Sequence, residues 1–150
     1  MKKNFKIFSK KILNKFLILG EIIINRDIFN FEILENLTLT KSGYPIIKGI
    51  GINELDILKY ILIPFNYAMS CKNKAKCGVH FYIDDYQFER IWKKPKLYLH
   101  LLKQFKFIIM PDFSLYKNFP QPLQMYNLYK SKLLAAYFEN NGILVIPNVT

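Results

Sequence analysis

Arginine is nearly absent from this chain, which has only Arg26 and Arg90. Arginine is the better reader of phosphate and guanine edges, so base-specific recognition has little to work with. Cysteine is equally sparse, at two residues. Cys71 and Cys77 provide no disulfide framework, and a reducing cytoplasm is the expected compartment. Apolar runs are short. The longest, Phe16 to Ile24, is broken by Gly20 and Glu21 and falls well below the ~20 residues that a membrane span needs. It follows a Lys-rich start, but no small-residue cleavage site comes after it, so a signal peptide is not expected. There is no GxGxxG, Walker loop, HExxH or Ser-His-Asp order, and Gly49-Ile50-Gly51 is too short to cradle phosphate. No cofactor is expected. Cys71, Cys77 and His80 are spaced too widely for a standard zinc site, so no metal is expected, and the cysteines read as free thiols in a surface loop.

What the chain does have is apolar and basic. Half of its 150 residues are hydrophobic and 16% are aromatic, with 22 Lys+Arg against 11 Asp+Glu and a formal charge of +11. That apolar content excludes a disordered chain. The length is that of one domain, 1–150, able to bury a core without metal or disulfide. The charge points to nucleic acid, anionic membrane or an acidic protein surface, although a Lys-rich, AT-rich coding bias also raises it.

Four apolar runs end alike: Ile61-Leu62-Ile63-Pro64-Phe65-Asn66, His80-Phe81-Tyr82-Ile83-Asp84-Asp85, Ile108-Ile109-Met110-Pro111-Asp112-Phe113 and Leu144-Val145-Ile146-Pro147-Asn148-Val149. Each reads as a buried strand closing on a carboxylate or amide. Helical patterns separate the last three. Tyr86 to Trp92 is a short helix, Pro95 opens a second running to about Gln104, and Pro122 opens a long one. The long helix ends near Asn140-Asn141, with Gly142 as its C-cap glycine. Strands are expected over Val79–Ile83, Phe107–Met110 and Ile143–Ile146. The fold class is therefore α/β, a mainly parallel sheet of βαβαβ units, partly β/α-barrel-like. Residues 78–150 form its core. Residues 22–66 form a cap with short strands at Ile22–Ile24, Phe29–Ile33 and Leu37–Thr40 and a turn at Ser42-Gly43. Residues 1–20 form a basic amphipathic helix with Phe5, Phe8, Ile12, Phe16 and Leu19 on one stripe and Lys3, Lys6 and Lys10 opposite. Those lysines meet phosphate or anionic lipid, or they are the solvated face of a packed helix.

In parallel sheets ligands sit at the carboxyl ends of the strands. Asn66, Asp84, Asp85, Asp112, Ser114 and Asn148 are therefore expected to share one rim. Asp84, Asp85 and Asp112 are the catalytic candidates, as general base or metal ligand. Lys3, Lys6, Lys10, Asn66, Ser114 and Asn148 are the binding candidates. One of the Asp84-Asp85 pair is expected to cap the following helix, and Asp112 competes with an Asx-turn role. Tyr126, Tyr129, Leu133 and Tyr137 read as a core-facing stripe rather than a base-stacking one.

His80-Phe-Tyr-Ile-Asp-Asp-Tyr-Gln-Phe-Glu-Arg-Ile-Trp92, Pro111-Asp-Phe-Ser-Leu-Tyr116, Gln124-Met-Tyr-Asn127, Val145-Ile-Pro-Asn-Val149 and the upstream Leu62-Ile-Pro-Phe-Asn66 resemble the "domain of unknown function 4417" family, from about Phe31 onward. The resemblance implies an origin in phages, prophages or other mobile elements, and no assigned activity. It also implies further strands beyond the Ile-Pro-Asn segment, so the chain is expected to be a C-terminally shortened member with an exposed sheet edge open to a homodimer. Two functions are open. The first is a binding protein acting on nucleic-acid machinery through a protein or nucleoprotein partner, with RNA or DNA met by the basic surface; a counter-defence, anti-CRISPR-like inhibitor is one form of it. The second is a replication-associated or base-modifying enzyme that uses the acidic rim.

Overall fold

A computed structural model describes residues 29–49, 53 and 55–148. Lys3, Lys6 and Lys10, the 1–20 helix and the Ile22–Ile24 strand lie outside them. In order the elements are α1 (Phe31–Leu34), β1 (Ile61–Pro64), β2 (Cys77–His80), α2 (Asp85–Lys93), α3 (Pro95–Leu102), β3 (Phe107–Ile109), α4 (Gln121–Asn140) and β4 (Val145–Ile146). The four strands form one parallel sheet in the order β1-β2-β3-β4. Sequential order without reversal is the winding of a β/α-barrel sector, and right-handed crossovers in one direction put the helices on one face.

Register explains which residues make the core. Ile63 pairs with Val79, Val79 with Ile108, and Ile108 with Val145. This row packs beneath the helices with Phe81, Phe88, Ile91, Leu133 and Phe138. Alternation sends the neighbouring row to the other face, where Leu62 pairs with Gly78 and Gly78 with Phe107. The long helix stops at Gly142, whose φ of 85° is left-handed. Gly142 N–H donates to the Glu139 carbonyl at 2.9 Å and Ile143 N–H to the Phe138 carbonyl at 3.0 Å. These bonds satisfy carbonyls that a helix end leaves open.

Four expectations need correction. The apolar Phe29–Ile33 run is a helical turn, not a strand. Asn30 takes a left-handed φ of 56° and its amide is tied to the Trp92 carbonyl at 3.0 Å, which bends the chain out of extension. Leu37–Thr40 makes only a single antiparallel bridge, Leu39 to Pro45, around the expected Ser42-Gly43 turn. β2 starts and ends two to three residues earlier than expected: its pairing with β3 stops at Val79 and its pairing with β1 at His80, the partner of Pro64, and the chain then turns, so no ladder is left to continue. Cys77 is not a surface-loop residue. It opens β2 and is buried, with its sulfur 3.8 Å from that of half-buried Cys71. Burial pushes the Cys77 thiol up, and the neighbouring Cys71 adds to that. The Tyr stripe of α4 is core-facing as expected. Leu133 is buried, and Tyr126 and Tyr129 meet the Trp92 ring at 6.1 and 6.4 Å.

Candidate functional site

Beyond His80 the chain turns sharply. Ile83 N–H donates to the Phe81 carbonyl at 2.8 Å, and Tyr82 N–H donates to His80 Nδ1 at 3.2 Å. The turn drops Phe81 into the core and leaves Tyr82 57% exposed. The His80 and Tyr82 rings stack at 5.6 Å, so they share a face, as their alternation in sequence suggests. Burial pulls the His80 imidazole below its usual range.

Tyr82 Oη then donates to Asn148 Oδ1 at 2.8 Å, and Asn148 Nδ2 donates to the Met110 carbonyl at 3.2 Å. One hydrogen-bonded chain thereby joins the exits of β2, β3 and β4. A second runs from the exit of β1. Asn66, in the 3-10 turn Phe65–Tyr67, donates to Gln87 Oε1 at 2.8 Å, and Gln87 Nε2 donates to Asp84 Oδ2 at 3.5 Å.

Asp84 and Asp85 part company, as adjacent positions should. Asp84 stands at the N-cap of α2 but its side chain makes no capping bond, so capping is the role of neither carboxylate. Asp85 accepts the Ser114 N–H on both oxygens at 3.2 Å and the Ser114 hydroxyl at 2.9 Å. From the other side, Asn127 Nδ2 donates to the Ser114 carbonyl at 2.8 Å and Phe113 N–H to Ser131 Oγ at 3.2 Å. The irregular 111–116 segment is thus fastened between α2 and α4, which is how it stays in place without a ladder. Lys130 lies 3.9 Å from the Phe113 ring centroid. Burial pulls its ammonium down, and the charges of Asp85 and Glu89 work against that.

Asp112 is half-buried at the exit of β3. Burial holds its carboxyl above the usual range; the Asn148 amide opposes the shift and the Asp85 charge reinforces it. The same carboxylate, after burial, pushes the Tyr82 phenol up. A cleft of about 520 Å³ opens here, walled by Tyr82, Asp84, Asp112, Ser114, Leu115 and Tyr116 over Phe81 and Ile83. Among the described residues no lysine or arginine lines it, although the chain carries twice as many basic as acidic residues. It presents acceptors and aromatic faces, the chemistry that suits cations and N–H donors. Among the described residues, no group of three or more His, Cys, Asp or Glu side chains is placed to hold a metal ion, and no helix is long and apolar enough to cross a membrane.

Asn66, Asp84, Asp85, Asp112, Ser114 and Asn148 therefore lie around one rim, but in different situations. Asp84 and Asp112 face the cleft, Asp85 is spent on Ser114, and Asn66 and Asn148 bind neighbouring rim side chains. Sequence reasoning missed Tyr82, Tyr116, Gln87 and the Asn127/Ser131 pair. The last had a signal: two polar residues one turn apart on the buried side of an apolar helix need partners.

Comparison with known proteins agrees with the motif segments that form this rim. The Domain of unknown function (DUF4417) family model matches residues 45–150. The "Gene 1 protein" of Mycobacterium phage L5 is 34% identical over 119 residues, covering 78% of this chain and 52% of the relative. That of Mycobacterium phage D29 is 36% identical over 122 residues, covering 78% of this chain and 44% of the relative. The chain thus spans about half the length of these phage relatives. No solved structure matches it. With the match running through all four strands and both walls of the cleft, the chain belongs to the DUF4417 family, a domain of unknown function with phage-encoded members.

Proposed function

We propose that this protein is a binding module of phage origin that engages nucleic-acid-handling machinery, and that its cleft grips an arginine or lysine side chain of a protein partner. The observation that carries this reading is the lining: two carboxylates, two tyrosine rings and, among the described residues, no cation. A guanidinium set between Asp84 and Asp112 would gain charge-assisted bonds and a face on Tyr82 or Tyr116. Proteins that handle nucleic acid carry such side chains for phosphate contacts, so a module that occupies them competes with the polyanion. A counter-defence inhibitor is the form of this activity that fits a phage setting.

The test is a titration of the ¹⁵N-labelled protein with N-acetyl-arginine amide, followed at the Tyr82, Asp84, Ser114 and Tyr116 amides. Saturable shifts that vanish in Asp112→Asn are expected. Unmoved amides would sink the reading. Shifts produced by free nucleosides instead would favour the enzymatic alternative, for which a partly buried carboxyl with a raised pKa is the supporting observation.

Asp112 also makes a stability prediction. Its folded-state pKa lies above the unfolded value, so folding favours the neutral form. That contribution is complete below the unfolded pKa and is lost as pH rises through the folded one. Asp112→Asn keeps the neutral form at every pH. Its Tm is expected to exceed the parent's at pH 7, with the gap closing as the pH falls below the ordinary carboxyl range. Melting curves from pH 3 to 8 check this, and a gap that widens in acid would reverse the assignment.

A further inference from the structure

The opposite end of the sheet has the opposite chemistry. In a parallel sheet all strand starts lie together, and here lysines precede three of the four. The 3-10 turn Ile57–Lys59 leads through Tyr60 into β1, the 3-10 turn Lys74–Lys76 leads directly into β2, and Lys103 and Lys106 precede β3. Register sets them side by side. Ile61 pairs with Cys77, so Tyr60 stands opposite Lys76. Lys106 N–H donates to the Cys77 carbonyl at 3.0 Å, which brings Lys106 alongside at the start of the next strand. Lys106 Nζ lies 5.9 Å from the Tyr60 ring centroid, and that ring rests edge-on against Phe107 at 5.9 Å. Lys76, Lys103 and Lys106 are exposed, as is Lys59 at 74%. Asp56, 3.1 Å from Lys59, is the acid paired here among the described residues. Beside them Leu58 is 96% exposed.

We propose that this amino-terminal end of the sheet, built on Lys59, Lys76, Lys103 and Lys106 around Tyr60, binds single-stranded nucleic acid through its phosphate backbone. The lysines are point charges that neutralise phosphate without reading base edges. The Tyr60 ring and the bare Leu58 supply a stacking and apolar surface that bases of any sequence can use. Among the described residues the surface is made of strand starts and short turns, with no helix or ribbon placed there of the kind that enters a major groove about 12 Å wide. This disfavours a duplex. The site lies across the sheet from the acidic cleft and does not depend on what the cleft binds.

Fluorescence anisotropy of a labelled oligothymidine of about 12 nucleotides, a length within the site sizes of single-strand binders, tests the proposal with the full chain over a salt series. Four phosphate contacts predict a log–log salt slope of about −2.8. In Lys76→Gln/Lys106→Gln the slope is expected to shrink by about 1.4, with affinity at low salt falling at least tenfold. Tyr60→Leu is expected to weaken binding about tenfold with the slope unchanged. Both lysine changes are at exposed positions, so circular dichroism melts close to the parent's will separate lost binding from lost folding. The proposal is overturned if the lysine pair variant binds with the parent's affinity and slope, since the polyanion would then meet other lysines. It is equally overturned if duplex competes as well as single strand, or if the chain ignores the oligonucleotide but binds vesicles of phosphatidylserine and phosphatidylcholine.

Discussion

Phe88→Ala is expected to lose about 3–5 kcal/mol of folding free energy, the usual cost of removing a buried phenyl ring. Phe88 is 0% exposed on α2. Its ring lies 5.5 Å from Phe81 and 4.9 Å from Phe113, and Phe81 in turn stacks at 5.1 Å on Phe65. These four rings come from the exits of β1, β2 and β3 and from the helix above them. The chain of contacts is therefore the floor on which the rim stands. Truncation opens a cavity whose walls come from α2 and from the exits of β2 and β3, and walls from separate segments cannot all close in together. Urea unfolding of the variant against the parent measures the loss. Tyr86→Ala, two residues away and 78% exposed, is expected to stay within about 0.5 kcal/mol of the parent. A Phe88→Ala loss below about 1 kcal/mol would mean that the rings do not form a continuous support.

Gly78→Ala is expected to cost about 2 kcal/mol, although it adds one methyl group to a strand. Gly78 sits in mid-β2 opposite Phe107, and a Cβ built there would overlap the Phe107 ring. That ring is fully buried and is backed by Tyr60, so it cannot swing clear without disturbing the strand starts. The glycine is needed for space, since its φ is not left-handed. A double-mutant cycle isolates the cause. Adding Phe107→Leu should cost less in the Gly78→Ala background than in the parent, by about 1 kcal/mol. Simple additivity would assign the loss to β propensity instead.

How much of this was legible before any coordinates differs by element. The long helix could be read closely, because Pro122 and Gly142 mark its ends and an apolar pattern fills the interval. The parallel order was legible too, since helical segments between apolar runs leave parallel pairing as the natural solution. The strand limits were not. The apolar run continues through Phe81 and Ile83, but the β3 ladder leaves β2 at Val79, the β1 ladder leaves it at His80, and the chain then turns. The Phe29–Ile33 run failed for a related reason. Its extended look is overruled by the bond from Asn30 to Trp92, 62 residues away.

The rim shows the same division. Strand-end carboxylates and amides were visible as a set because parallel strands bring like ends together. Their individual duties were not, because Asp85 and Ser114 are 29 residues apart and Asn148 is 66 from Tyr82. Short-range pattern thus marks the long helix, the core strands and the ends that assemble, since burial periodicity is a property of neighbouring residues. Which carboxylate stays open to the cleft, which is tied down, and why a glycine must lie under Phe107 are settled by contacts between distant segments, and those contacts exist only once the sheet has closed.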